Sequence, residues 1–352
     1  MRKIEELFIE ITNHCLQNCI HCSSNATSSQ YEEIPIEKLK QVVLETVGLG
    51  LKSVVLSGGE PFLYPELDIL VDFLWNSQLR YSVYTCGVIR DAGGVRPLLI
   101  DDFERVNSNC LSKIIFSLHA GRPETQAKIS GFSDSFAYVL QSIRVAKSLG
   151  IDVEIHVVPM SVNFPELRQV LEIANDLGVS RVSFLRFVFQ GRGTEKLRLN
   201  KYQFFALQEM YNAYKDGYKN VKVRFGTPFN CITYHGGRCT AGLNKLLINA
   251  YGEILPCEAF KYLHGQRPTI YQHDIADVWQ NDLLLNELRN IELDTVSTCC
   301  HCPHKEGCRG GCPGQRRHLN GDFRKGPDPS CIREFTFSNH APIAQLVRAT
   351  GS

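Results

Sequence analysis

The sequence predicts an α/β fold with a parallel sheet, followed by a small cysteine-rich domain. From residue 4 to about residue 225, short apolar and β-branched runs alternate with amphipathic stretches, which is typical of a parallel sheet covered by helices. After residue 225 this alternation stops and cysteines become frequent. We therefore predict an α/β domain at 1–225, a cysteine-rich domain at 226–337 and a tail at 338–352 that is disordered or accessory.

Six strand–helix units account for the first domain. Pro35 suits the first turn of a helix, and Gly150 and Gly178 each end a helix just before a strand. The predicted strands are 7–11, 53–56, 81–84, 113–118, 152–158 and 181–188, and the predicted helices are 36–47, 63–75, 136–149 and 165–177. Six units are too few for a complete eight-stranded barrel, and the functional site of such a sheet is expected at the C-terminal ends of its strands.

The composition is that of an ordinary globular protein. The 352 residues are 43% hydrophobic and 21% charged, with a net charge of +1, so no global field favours nucleic acid or a membrane surface as a partner. No signal peptide and no apolar run of about 18 residues appears, which predicts a cytoplasmic protein without membrane contact. Fourteen cysteines in such a protein indicate metal binding or catalysis in a reducing compartment rather than disulfides.

The first predicted strand leads directly into a compact cysteine triplet, Cys15-Leu-Gln-Asn-Cys19-Ile-His-Cys22. Three thiolates at this spacing would bind three irons of a cubane cluster, whereas a fully ligated cluster takes four cysteines. The fourth iron would then keep an open coordination position, as catalytic metal sites do. Zinc or incidental thiols are the alternative, but a zinc site usually adds a second cysteine or histidine pair nearby.

This triplet resembles that of the radical S-adenosylmethionine (radical SAM) superfamily. The resemblance implies a partial (β/α)6 barrel, open on one side, whose open iron is chelated by the amino and carboxylate groups of SAM. It also implies that SAM is cleaved reductively and that the resulting 5′-deoxyadenosyl radical takes a hydrogen atom from the substrate.

The same resemblance assigns further residues to SAM. The loop after the second strand, Ser57-Gly58-Gly59-Glu60-Pro61, resembles the family's motif that contacts the methionine amino group. His21 stands where the family has an aromatic residue beside the adenine, and Ser117 resembles the serine that bonds the ribose. The expected cofactor-binding residues are His21, Gly58, Gly59, Glu60, Ser117, Asn163 and Arg186. Gln190-Gly191-Arg192-Gly193 resembles a loop common after the sixth strand.

The cysteines after residue 225 resemble those of the SPASM domain. A C-x2-C-x5-C-x3-C pattern starts at Cys299, and Gly252 also stands at the spacing that the family has for its glycine. The resemblance implies two auxiliary [4Fe–4S] clusters, and therefore three clusters in all. The first would use Cys239, Cys257 and Cys312, with Cys231 as its fourth ligand. The second would use Cys299, Cys302, Cys308 and Cys331. A hairpin over 246–257 is predicted to bring Cys257 back to the start of the domain, and Cys300 is left unassigned.

A zinc-ribbon binding module is the non-enzymatic alternative for this half. Such modules usually carry a basic or aromatic face for nucleic acid. The cluster Arg316, Arg317, His318, Arg324 and Lys325 is interpreted as mostly solvated, although an acidic peptide or an electron donor could bind there. Metal analysis separates the two interpretations.

The predicted function is therefore that of a radical SAM/SPASM enzyme that modifies a ribosomally made peptide by crosslinking or epimerisation. The expected electron donor is a low-potential protein such as flavodoxin or ferredoxin. The alternatives are a sulfatase-maturing type enzyme and an epimerase or dehydrogenase acting on a carbohydrate or antibiotic intermediate.

Cys86 is the candidate catalytic thiol outside the cluster motifs. It ends the third strand and should face the active side of the barrel, whereas Cys110 precedes the fourth strand, on the opposite side. An epimerase needs such a thiol to return hydrogen to the substrate. The alternative is a small buried residue, which is the usual place of a free cysteine.

Overall fold

The computed structural model describes residues 2–234, 237–261, 266–296 and 299–334. The predicted tail at 338–352 lies outside these ranges. The strands are β1 (Glu6–Thr12), β2 (Ser53–Gly58), β3 (Arg80–Thr85), β4 (Val88–Asp91), β5 (Gly94–Pro97), β6 (Leu111–Ser117), β7 (Val153–Val157), β8 (Arg181–Phe184), β9 (Lys222–Phe225), β10 (Lys245–Ile248) and β11 (Ile254–Leu255).

Helices separate most of these strands along the chain. They are α1 (Ile36–Gly48), α2 (Leu67–Asn76), α3 (Ile100–Glu104), α4 (Pro123–Ser130), α5 (Ser135–Ser148), α6 (Leu167–Asp176), α7 (Lys201–Tyr214), α8 (Asn230–Thr233), α9 (Ile275–Asn281), α10 (Leu283–Arg289), α11 (Lys305–Cys308) and α12 (Pro313–Asn320). No helix in the described part of the chain combines the length and the apolar character needed to cross a membrane.

The main sheet has the strand order β11-β10-β1-β2-β3-β6-β7-β8-β9. All neighbouring pairs are parallel except β10 and β11. The six predicted strands are present as β1, β2, β3, β6, β7 and β8, which confirms the predicted α/β class. Within the described residues, β9 and β11 end the sheet, so the barrel is open on one side.

The structure adds elements that the sequence did not predict. β9 is a seventh parallel strand beside β8, and β4 and β5 form a separate antiparallel hairpin. The predicted sixth strand, 181–188, ends at Phe184, where pairing with the short β9 stops. The predicted hairpin over 246–257 is confirmed as β10–β11, and it extends the main sheet because β10 pairs with β1.

The two faces of the sheet differ in chemistry because strand side chains alternate between them. One face is apolar and packs in the core with side chains of the helices, as Ile9, Val83 and Ile155 do. The other, called here the inner face, carries polar side chains, among them Glu10 and His156, together with some apolar ones. This face reaches the open edge of the sheet at β9.

Candidate active site

The cysteine triplet lies in the loop that follows β1, at the C-terminal end of the parallel strands. The backbone N–H of Cys15 donates to the carbonyl of Thr27 at 2.9 Å. Arg192 fixes the rest of the loop, since Nε donates to the carbonyl of Cys19 at 2.8 Å and Nη1 to that of Ala26 at 2.9 Å. Its backbone N–H also donates to the carbonyl of Cys22 at 3.0 Å. The family-like loop at 190–193 therefore holds the triplet in place.

The three thiols of this loop act on one another electrostatically. Burial and then the neighbouring Cys15 and Cys22 raise the pKa of Cys19 well above its usual value, while Arg192 lowers it. Nη2 of Arg192 is buried and has no hydrogen-bond partner among the described residues. An anionic iron–sulfur cluster would use the thiols as thiolates and compensate this buried cation, so the residues present fit such a group.

Gly58 and Gly59 are needed because the second βα loop packs against the backbone of the cysteine loop. A Cβ on Gly58 would lie 2.0 Å from the carbonyl oxygen of Thr12, and one on Gly59 would lie 2.1 Å from that of His14. The N–H of Gly59 donates to Thr12 and that of Glu60 to His14, both at 2.7 Å. Whether this loop also contacts SAM, as the family motif implies, stays a prediction.

Glu60 is fully buried beneath that loop and is bonded to the end of β3. Oε2 accepts hydrogen bonds from the Thr85 hydroxyl at 2.9 Å and from the N–H of Cys86 at 2.7 Å. Burial raises the pKa of Glu60 to about 7. The carboxylate therefore fixes the segment that carries Cys86.

Cys86 lies against the cysteine loop. The neighbouring Cys15 side chain, followed by burial and Glu60, raises the pKa of the Cys86 thiol well above its usual value. The thiol also contacts the carbonyl of Val88 at 3.7 Å. Cys86 therefore lies at the active end of the barrel, and its role as a hydrogen donor stays a prediction.

Replacing Cys86 by alanine tests that role. If Cys86 returns a hydrogen atom to the substrate, wild-type product formed in deuterated buffer gains solvent deuterium and the C86A product does not. The measurement is mass spectrometry of the product, with Cys110→Ala as the control because Cys110 precedes β6 at the opposite end of the sheet. If wild type and C86A gave the same product at the same rate, Cys86 would not be the hydrogen donor.

His21 packs edge-on against His119, with ring centroids 4.4 Å apart. Burial and then Arg192 lower the pKa of His21 to about 4. Burial likewise lowers the pKa of His119 well below its usual value. Both rings are therefore neutral at physiological pH, and Nδ1 of His21 has no partner among the described residues, as suits a ring that packs beside a nucleobase.

These depressed pKa values predict a loss of stability in acid. A histidine with a lowered folded-state pKa stabilises the fold above its unfolded value of about 6.5, and this contribution is lost progressively as the pH falls from that value toward and through the folded-state pKa. His119→Asn keeps a δ acceptor for the N–H of Val158 but removes the titration. Between about pH 7.5 and pH 5.5, we expect wild type to lose about 1 kcal/mol more stability than H119N, as measured by thermal unfolding. An equal loss in both proteins would contradict this.

The three other residues predicted to contact SAM, Ser117, Asn163 and Arg186, lie in different surroundings. Ser117 ends β6 on the inner face. The Asn163 amide donates to the carbonyls of His119 at 2.6 Å and Val158 at 2.9 Å, so both N–H groups hold loops together. Arg186 forms a buried ion pair with Asp328 at 2.6 Å, and therefore joins the barrel to the C-terminal half. Contacts of these three residues with SAM stay predictions.

The cysteines of the C-terminal half fall into two electrostatic groups. Cys239 and Cys312 raise the pKa of Cys257, after burial, which agrees with the composition expected of the first set. In the second group, Cys331 and Cys302 raise the pKa of Cys299. Cys331 and Cys299 likewise raise the pKa of Cys308. Among the described residues, no three His, Cys, Asp or Glu side chains are arranged to hold a single metal ion.

Cys231 lies with the second group rather than the first. The thiols that raise its pKa, after burial and Asp328, are Cys308 and Cys331. The reason is a tertiary contact, because α8, which carries Cys231, packs against α11, which ends at Cys308. The role of Cys231 as fourth ligand of the first cluster stays a prediction.

Arg316 corrects the interpretation of the basic cluster as solvated. Its side chain is fully buried, and all three guanidinium nitrogens lack a hydrogen-bond partner within the described residues. Burial lowers its pKa, while Cys299, Asp328, Cys312 and Cys308 oppose that effect. Arg316 thus lies between the two cysteine groups, where anionic clusters would compensate its charge.

Lys261 joins the two halves and was not found by sequence analysis, since an isolated lysine gives no signal. The side chain is 2% exposed. Nζ contacts Glu10 of β1, Glu258 beside Cys257, and the Ser24 hydroxyl at 3.0 Å. Although burial opposes it, Glu10 and Glu258 raise the pKa of Lys261, so it stays charged.

Comparison with known families agrees with this arrangement. The model of the radical SAM superfamily matches residues 9–177, over β1 to α6 and including the triplet. The SPASM model, described as an iron–sulfur cluster-binding domain, matches residues 239–303. The chain belongs to the radical SAM superfamily. It is thus a radical SAM enzyme with a C-terminal SPASM domain, and the second match favours iron over the zinc-ribbon alternative.

Full-length relatives are distant. The chain is 22% identical to the AdoMet-dependent heme synthase of Methanosarcina barkeri, over 92% of this chain and 95% of that protein. It is 25% identical to the PqqA peptide cyclase of Granulibacter bethesdensis (92% and 86%). It is 26% identical to the mycofactocin maturase MftC of Mycobacterium ulcerans (97% and 93%).

The solved structures of Streptococcus suis SuiB share the fold of this radical SAM enzyme. SuiB bound to S-adenosylmethionine superposes with a TM-score of 0.76 over 94% of this chain and 77% of that chain, at 18% identity. SuiB bound to its precursor peptide SuiA gives a TM-score of 0.75, also at 18% identity, over 94% and 76%.

Proposed function

We propose that this radical SAM enzyme modifies a ribosomally made peptide, by crosslinking or epimerisation. The observation that carries the proposal is the placement of the Cys15–Cys22 loop at the C-terminal end of a polar, laterally open sheet that is joined to a SPASM domain. Relatives named PqqA peptide cyclase and mycofactocin maturase support a peptide substrate, as does the fold shared with SuiB, which was solved with its precursor peptide SuiA.

The proposed cofactors are SAM and three [4Fe–4S] clusters. Cys15, Cys19 and Cys22 would hold the cluster that, when bound, supplies the electron for SAM cleavage and so the 5′-deoxyadenosyl radical. Arg192 keeps that loop in one conformation, and His21 offers a neutral ring beside it. The Arg186–Asp328 and Lys261–Glu10 ion pairs keep the auxiliary half against the barrel, so that a substrate on the inner face stays close to both halves.

The proposed reducing partner is a low-potential flavodoxin or ferredoxin in the cytoplasm. Reconstituted protein should produce 5′-deoxyadenosine from SAM with either donor and its NADPH-dependent reductase. Turnover with dithionite but with neither protein would argue against this class of partner.

The substrate class is tested with a synthetic peptide encoded by a short reading frame beside the gene. Anaerobic reconstituted enzyme, SAM and reductant should change the peptide, with loss of a hydrogen pair for a crosslink or gain of solvent deuterium for an epimer. Mass spectrometry distinguishes the two, and the Cys15, Cys19 and Cys22 triple alanine variant is the control. An unchanged peptide would favour a small-molecule substrate, in line with the relative named AdoMet-dependent heme synthase.

A further inference from the structure

One row of residues crosses the inner face of the sheet from its middle to its open edge. Ser117 of β6 is in register with His156 of β7, His156 with Ser183 of β8, and Ser183 with Arg224 of β9. Neighbouring strands are about 4.8 Å apart, so the row spans about 14 Å. It connects the strand end at which the ribose of SAM is predicted to lie with the lateral opening of the barrel.

His156 presents an acceptor in this row. Its ring is 5% exposed, and Nε2 lies 3.0 Å from Oε1 of Glu154. Burial raises the pKa of Glu154, but hydrogen bonds from His156 and Lys113 outweigh burial. The net pKa lies below the usual value, so the carboxylate is ionised. Nε2 must then carry the proton, which leaves Nδ1 as an acceptor. Nδ1 is buried and has no partner among the described residues.

Arg224 presents a cation at the edge. Because Arg224 is in register with Ser183, its side chain lies on the inner face, where its charge lowers the pKa values of Tyr84 and His156. Within the described residues it has no hydrogen bond or ion pair. It borders a cleft of about 440 Å³ that is lined by Arg181, Lys215, Asp216, Lys222, Val223 and Arg224. Arg181 already pairs with Glu154 at 3.6 Å, but three further cations against one carboxylate still make this cleft complementary to an anion.

We propose that this row is a subsite for an acidic segment of the peptide substrate. Arg224 binds a side-chain carboxylate of that segment, and Nδ1 of His156 accepts a hydrogen bond from a peptide N–H. Arginine suits the first task because its fork matches a carboxylate. The proposal rests on the proposed function. It also specifies how far the acidic residue lies from the residue that reacts. An extended chain advances about 3.3 Å per residue, so the acidic residue lies about four residues from the residue that reacts near Ser117.

Binding measurements test the subsite without any requirement for turnover. The probes are a short fluorescein-labelled peptide of alternating serine and glutamate and its serine–glutamine counterpart, titrated with the reconstituted full-length protein in fluorescence anisotropy. We expect the glutamate peptide to bind about tenfold more tightly, as for one charge-assisted pair. Arg224→Gln should abolish that preference. Arg144→Gln, on the exposed face of α5, changes the net charge equally and should keep it.

His156→Gln separates the second contact from the first. Glutamine keeps an N–H for Glu154 but lacks the δ acceptor, so both peptides should bind several-fold more weakly with the glutamate preference unchanged. Iron content and the absorption spectrum check that each variant is loaded. Equal preference in R224Q and R144Q, or unchanged affinities in H156Q, would overturn the corresponding contact. Because no product is measured, failure here is distinct from failure to modify a precursor peptide.

Discussion

Replacing Cys15, Cys19 and Cys22 together by alanine should remove about four irons per chain from a total of about twelve. SAM cleavage should stop while the absorption of the auxiliary clusters remains. The reason is that, in our proposal, the triplet holds one cluster by three thiolates, whereas the cysteines of the C-terminal half lie in separate groups. Iron and sulfide analysis and chromatographic detection of 5′-deoxyadenosine are the measurements.

Cys110→Ala is the matched control for that variant. Cys110 is a thiol of the same domain at the opposite end of the sheet, and its loss should leave the iron content and SAM cleavage as in wild type. Zinc in place of iron in anaerobically prepared protein, or undiminished SAM cleavage by the triple variant, would contradict the assignment of the site.

Arg316→Met should have opposite effects in the metal-free and the loaded protein. A buried charge without compensation costs about 3–5 kcal/mol, so removal of the guanidinium should stabilise the chelator-treated protein by up to about that amount. In the loaded protein the same substitution removes the cation between two anionic groups. It should lower the auxiliary iron content and the thermal stability, while the Cys15–Cys22 cluster stays in place.

Thermal unfolding and iron analysis of both forms test this reversal of sign. Arg324→Met is the control, because Arg324 belongs to the same basic stretch but is exposed and pairs with Asp322. The same sign of effect in both forms of R316M would show that Arg316 does not compensate cluster charge.

The sequence predicted the parts of this protein that depend on local spacing. The β-branched runs and the glycines after helices predicted the six strands of the barrel, and the cysteine spacing predicted the two domains that the family models match. β9 was missed because a run of four residues with alternating basic side chains, Lys222 and Arg224 among them, gives little signal for a buried strand. Pairing with β8 stabilises β9 as a strand, although its own sequence does not favour one.

Burial of charge could not be predicted in this way. Arg316 and Lys261 look like surface residues because arginine and lysine are rarely buried unless paired. Their partners, the cysteine groups and Glu10, are distant in sequence and meet them only in the folded protein. The position of Cys231 has the same cause, since the packing of α8 on α11 is a tertiary contact that the spacing of the cysteines does not encode.

The pairing of β1 with β10 has a consequence for how the protein is made. Glu6 pairs with Lys245, so the strand that leads into the cysteine triplet has an unpaired edge until the ribosome has made most of the chain. Such long-range pairing slows folding, and an unpaired edge invites aggregation. We therefore expect the β1 edge to stay open to non-native pairing during synthesis, until β10 covers it.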